Sequence, residues 1–243
     1  MTGATTTTTA EPTTARDHLA IALDVPTLAD AMALATEVAP WFGVAKIGLE
    51  LYSAAGPGAV DALGDLGLRV FCDLKLHDIP TTVGRAARVL GRLGVTYLNF
   101  HAAGGVDMLR AGVDGVYEGA RDAGRAAPIP LAVTVLTSDP DASAFDARLE
   151  CAIEAGCRGV VCSVHEIARA KRARHDLVTV VPGVRLADGE VHDQARVGTP
   201  GAVAAAGADV LVVGRAVSAA DDRAAAARNV HDAVVDAWAS RRV

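Results

Sequence analysis

The sequence predicts a single-domain α/β chain folded as a TIM (β/α)8 barrel. Three observations lead there: eight short apolar runs suited to fully buried strands, Ala-rich amphipathic segments between them, and polar residues gathered where the apolar runs end. With 243 residues, 51% of them hydrophobic, the chain can bury one sizeable core without a metal or disulfide to hold it.

Residues 1–15 are Thr-rich and low in complexity, with neither a basic leader nor an apolar stretch. They are expected to form a disordered tail rather than a signal peptide or membrane span, leaving residues 16–243 as the barrel domain. The expected strands run from Leu19 to Leu23, Val44 to Gly48, Arg69 to Leu74 and Thr96 to Phe100, then Leu131 to Leu136, Gly159 to Cys162, Val178 to Val181 and Val210 to Val213. A helix from Leu28 to Ala39 follows Pro26-Thr27, where Thr27 and Asp30 can satisfy free N–H groups at its start. Another, Thr82 to Leu93, follows Pro80 and stops at Gly94, as the preference for Pro before and Gly after a helix predicts. Eight strand–helix units favour a closed barrel; the count alone leaves a doubly wound open sheet as the alternative.

The formal charge of -6 argues against a nucleic-acid binder, which needs a basic field. Any anionic ligand must therefore be met by locally placed cations. No apolar stretch approaches the roughly 20 residues of a membrane span, so a soluble protein is expected. The four cysteines, Cys72, Cys151, Cys157 and Cys162, form no CxxC pair, which fits a reduced cytosolic compartment.

The polar residues near the strand ends are Asp24 after the first, Lys46 late in the second, Asp73 and Lys75 in the third and His101 after the fourth. Thr137 closes the fifth, Ser163 the sixth, Pro182-Gly183-Val184-Arg185 the seventh and Gly214-Arg215 the eighth. In a (β/α)8 barrel these ends converge on the face where active sites are built. Within Phe71-Cys72-Asp73-Leu74-Lys75-Leu76-His77-Asp78-Ile79-Pro80-Thr81-Thr82, side chains two apart share a face, so Phe71, Asp73 and Lys75 point one way and Leu74 and Leu76 the other. Charge at that mouth is costly unless paired or used, which leaves a structural ion pair and a reactive site as the two readings.

This stretch resembles the DxKxxDIPxT signature of the orotidine 5′-phosphate decarboxylases. The resemblance runs from about Leu19 to Arg215 and takes in ALDVP, KIGLELY, NFHAAGG, VTVLTS, VVPGVR and VVGRAV, in the family's order. Thr81 stands where the family usually has Asn; either residue can cap the helix that follows. The resemblance implies a cofactor-free, metal-free decarboxylation of orotidine 5′-phosphate to UMP and CO2, the last step of de novo pyrimidine nucleotide synthesis, in the cytoplasm. It assigns the catalytic array to Lys46, Asp73, Lys75 and Asp78, with Lys75 stabilising and then protonating a carbanion and Asp73 beside the departing carboxylate. It gives ribose contacts to Asp24, Lys46 and Asp78 and a pyrimidine contact to Thr137. The phosphate falls to Gln194, Gly214 and Arg215, with Arg185 nearby.

Leu186 to Pro200, containing Asp188-Gly189 and Gln194, is long and polar enough to be expected as a lid over that phosphate. The resemblance further implies a homodimer with shared active sites, Asp78 and Thr82 reaching into the neighbour's. His77 is expected to face outward and His101 to be structural, and their spacing with Asp78 does not suit a metal. Two rivals remain: a keto-gulonate-phosphate decarboxylase type of barrel, which uses magnesium, and a catalytically silent barrel that binds a phosphorylated nucleotide.

Overall fold

The computed structural model describes residues 14–185 and 198–240. Eight parallel strands close in chain order into a ring: β1 (Leu19–Ala22), β2 (Val44–Ile47), β3 (Arg69–Leu76), β4 (Tyr97–His101), β5 (Ile129–Val133), β6 (Gly159–Val161), β7 (Val178–Val181) and β8 (Val210–Val213). β8 returns to β1, with Leu211 opposite Leu19 and Val213 opposite Ile21, so no sheet edge is left unpaired. The expected barrel is the observed one, and the open-sheet alternative falls.

Because side chains alternate along a strand, the barrel has two cores. Ala20, Val44, Phe71, Tyr97, Leu131 and Val210 are among those that fill the inside of the ring. Leu19, Ile21, Ala45, Ile47, Cys72 and Leu74 point outward into the larger core beneath the helices. Those helices are α1 (Leu28–Val38), α2 (Leu49–Ala55), α3 (Gly58–Asp65), α4 (Pro80–Arg92), α5 (Gly105–Asp122), α6 (Phe145–Glu154), α7 (Ile167–Ala173), α8 (Pro200–Ala205), the one-turn α9 (Arg215–Ser218) and α10 (Arg223–Ser240).

Local signals set the boundaries. Thr27 caps α1 by accepting the Asp30 N–H at 3.1 Å. α4 takes in Pro80 as its first residue, two positions before the expected start, because Ile79 is extended and its carbonyl accepts from both Thr82 and Val83. β5 starts at Ile129, earlier than the expected Leu131, since the Ile129 N–H bonds Thr96 O at 2.8 Å. At the other end of the chain, a 3-10 turn (Ala15–His18) begins one residue inside the stretch expected as tail. Thr14 and Asp17 cap it, and Ala15 is buried.

β3 departs most from expectation. It runs two residues further, to Leu76, and its ladder with β4 slips: Cys72 faces Leu98, then Leu76 faces Phe100. Four steps on β3 match two on β4, which leaves a bulge over Asp73, Leu74 and Lys75.

Candidate active site

At the C-terminal mouth of the barrel lies a cavity of about 540 Å³, within the roughly 300–1,000 Å³ usual for small-molecule sites. Its walls are the apolar interior residues Ala22, Phe71, Val133, Val161 and Val212. Above them sit polar groups from four corners of the ring.

β1 to β3 supply charges that alternate in sign. Lys46 Nζ lies 3.0 Å from Asp24 Oδ1 and 3.4 Å from Asp73 Oδ2; Lys75 Nζ lies 2.7 Å from Asp73 Oδ1. Lys46 is only 7% exposed, and a charge so placed persists only with partners of opposite sign. The order Asp24–Lys46–Asp73–Lys75 provides them. Burial pushes the Asp73 carboxyl up, but the Lys46 and Lys75 charges, with hydrogen bonds from Lys75 and Asn99, outweigh it and hold the group below its usual value.

The bulge aims the second lysine. Lys75 has φ +48°, the left-handed region that a residue with a Cβ rarely enters, at a cost of about 1–3 kcal/mol. Two residues that the sequence reading did not single out support this corner. Asn99, fully buried on β4, accepts from the Lys75 N–H at 2.8 Å and donates to Asp73 Oδ1 at 2.6 Å. Gly48 leaves room for the Asp24–Lys46 pair: a Cβ there would stand 2.6 Å from Asp24 Oδ1 and 3.3 Å from Lys46 Nζ. The available signal for Asn99 was a carboxamide in the apolar run Tyr97–His101, on the inward face two residues after Tyr97.

The strands across the ring supply the remaining expected residues. Thr137, buried, lines the cavity with Ser138, another residue not anticipated. Arg185 lines it after β7, which stands four strands from β3, and its N–H donates to Gly198 O at 3.0 Å. Gly214 and the exposed Arg215 line it after β8. Gln194 and Asp188-Gly189 lie outside the described residues, as do residues 186–197 of the expected Leu186–Pro200 lid; its last two residues, Thr199 and Pro200, cap and begin α8. Val184 and Gly198, which flank that segment, pair in a bridge.

Asp78 and Thr82 are not brought into the cavity of their own chain. The β3–α4 connection turns outward after Leu76, so Asp78 is exposed, its carboxylate accepting from the Ile79 N–H at 2.6 Å, and Thr82 is exposed on α4. Within one chain the fourth member of the charge alternation is therefore Asp24. His101 accepts from the Ala103 N–H at 3.2 Å and stacks on the exposed His77 at 5.3 Å between ring centres. Burial, then the charges of Arg148, His77 and Lys75, push the His101 imidazole below its usual value, which suits its role as an acceptor. Among the described residues no three His, Cys, Asp or Glu side chains cluster as metal ligands, and no helix is long and apolar enough to cross a membrane.

The comparisons with known proteins agree with one another. Residues 17–230 match the family model described as Orotidine 5'-phosphate decarboxylase / HUMPS family. The chain is 46% identical over 230 residues to an orotidine 5'-phosphate decarboxylase of Moorella thermoacetica, covering 89% of this chain and 91% of that one. It is 48% identical over 228 residues to one from Anaeromyxobacter sp. (strain K), covering 88% and 96%. The crystal structure of orotidine 5'-phosphate decarboxylase from Lactobacillus acidophilus superposes with a TM-score of 0.76 at 30% identity, covering 89% of this chain and 98% of that chain.

Proposed function

Since the chain belongs to the orotidine 5'-phosphate decarboxylase / HUMPS family, we propose that it converts orotidine 5′-phosphate to UMP and CO2, the last step of de novo pyrimidine nucleotide synthesis. The observation that carries this reading is the Asp24–Lys46–Asp73–Lys75 alternation over a nucleotide-sized cavity.

In the proposed reaction the bond between the ring carbon and its carboxylate breaks and CO2 leaves. The electron pair stays on an sp2 carbon with no ring position able to delocalise it, so fixed charge must stabilise it. Lys75 supplies an ammonium, held by Asp73 and by a strained backbone, and then transfers its proton to that carbon to give UMP. Solvent returns the proton to the amine. Lys46 keeps Asp73 ionised, and Asp24 meets the ribose. Thr137 bonds the pyrimidine, and Gly214, Arg215 and Gln194 hold the phosphate with Arg185 nearby. Grip on that remote phosphate is then expressed at the reacting carbon.

This route uses no metal or other cofactor. Its support is the state of the acids at the mouth: Asp24 and Asp73 are both engaged by ammonium groups, and Asp73 also by Asn99. A magnesium-held enediolate, the chemistry of the keto-gulonate-phosphate type, needs carboxylates free to take a cation. The protein works in the cytoplasm as a homodimer in which Asp78 and Thr82 complete the neighbour's site. Support for that assembly is their exposure outside their own cavity, beside an Ile79 that is 65% exposed.

The test uses orotidine 5′-phosphate labelled in its carboxylate. Release of label as CO2 with equimolar UMP is expected; retention of all label in the nucleotide would remove the assignment.

A further inference from the structure

We propose that Asn99 is a positioning residue for Lys75, its carboxamide replacing the strand pairing lost at the bulge and fixing where the ammonium points. Between the pairs Cys72–Leu98 and Leu76–Phe100, Asn99 is the single β4 residue facing three residues of β3. Lys75 sits in that gap with φ +48°, the one residue other than glycine with positive φ among the described residues. Its N–H has no β4 carbonyl in register and must find an acceptor elsewhere. Asn99 Oδ1 is that acceptor, at 2.8 Å.

The amide can stand only one way round. A backbone N–H donates and cannot accept, so Oδ1 faces Lys75 and the NH2 faces Asp73 Oδ1, at 2.6 Å. Asp73 Oδ1 in turn accepts from Lys75 Nζ at 2.7 Å. The result is a closed circuit from the Lys75 backbone through Asn99 and Asp73 to the Lys75 side-chain tip. Packing does not account for an amide here, because Leu131, the register partner of Asn99 on β5, fills the equivalent inward position with hydrocarbon. Asn99 does not line the cavity, so it acts through Lys75 and Asp73 and does not touch substrate.

The kinetic arm of the test rests on the decarboxylase reading; the structural arm does not. Asn99→Leu keeps the shape of the side chain and removes both hydrogen bonds. It is expected to lower kcat about 100-fold while KM and UMP affinity stay within about threefold of wild type. Unchanged kcat contradicts positioning, and so does an equal fall of kcat and UMP affinity, the mark of a site that has simply loosened. Independently of any activity, amide hydrogen exchange at Lys75 should change from slow to fast in the variant, and a crystal structure should show Lys75 Nζ moved off Asp73. Slow exchange with the lysine in place sinks the proposal. Where the wild-type chain decarboxylates nothing, the decarboxylase reading fails and the exchange arm alone decides this one. Asn99→Ser carries the same measurements if Asn99→Leu does not fold.

Discussion

Gly48 and Asp24 meet so closely that a single added carbon would separate them: a Cβ on Gly48 would stand 2.6 Å from Asp24 Oδ1. Asp24 has a side chain 58% exposed and can swing away, so the clash is relieved without disturbing the core. Gly48→Ala is therefore expected to cost at most about 1 kcal/mol of stability, chiefly through a poorer start to α2. It should nevertheless break the Asp24–Lys46 pair and weaken nucleotide binding about 10-fold. Calorimetric titration with UMP beside a thermal melt separates the two effects. Unaltered UMP affinity would contradict the role given to Asp24.

Arg215 leaves β8 directly after Gly214 and is exposed at the cavity rim. A guanidinium suits phosphate, and such charge-assisted bonds are worth about 1.5–3 kcal/mol. Arg215→Ala should lower kcat/KM for orotidine 5′-phosphate about 10- to 100-fold and leave phosphate-free orotidine unaffected. Steady-state kinetics on both substrates decide it; equal losses would take the phosphate away from Arg215.

The Asp73 carboxyl supplies a pH dependence. Burial raises it, and Lys46 and Lys75 with their hydrogen-bonding neighbours outweigh that and bring it under the ordinary 3.8. With the folded value below the unfolded one, the unfolded chain takes up the proton first as pH falls. The stabilisation is then complete above about 3.8 and is lost as pH drops through the folded value. Lys46→Met removes the strongest opposing charge, so the folded value rises toward the ordinary one and the loss should shrink and be complete at higher pH. Melting temperatures recorded from about pH 3 to pH 7 would show it; superimposable profiles for the two proteins would refute it.

Burial pushes the Cys72 thiol up to about 12, with the Asp73 charge adding to the effect, and burial likewise carries Cys157 to about 12 against the charge of Arg174. The thiolate is the reactive form, so both should resist alkylation in the native protein while the half-buried Cys151 reacts first. Peptide mass mapping after brief iodoacetamide treatment tests this order. Early labelling of Cys72 would mean that the wall behind Asp73 opens.

Val178–Val181 and Val210–Val213 were legible to the residue because each is a short apolar run between turn signals. Charge facing inward at Asp73 and Lys75 was legible too, since alternation along a strand needs no knowledge of neighbours. The bulge in β3 was not: it arises from how many residues of β4 stand opposite, a property of the pairing and not of the string. For the same reason Asn99 passed unnoticed, its two bonds both being made to another strand. Asp78 shows another limit: strand alternation stops at Leu76, so only the family resemblance assigned this residue, and to the neighbour's site; the chain turns its carboxylate outward.

The most direct test of the account is the absorbance change of orotidine 5′-phosphate on conversion to UMP, followed with chelator-treated protein and its Lys75→Ala variant side by side. The native chain should consume the substrate with its metals stripped. The variant should bind UMP normally yet turn over more than about 1,000-fold more slowly. Conversion by Lys75→Ala at the native rate, or activity in the native chain that appears only when a divalent cation is restored, would contradict it.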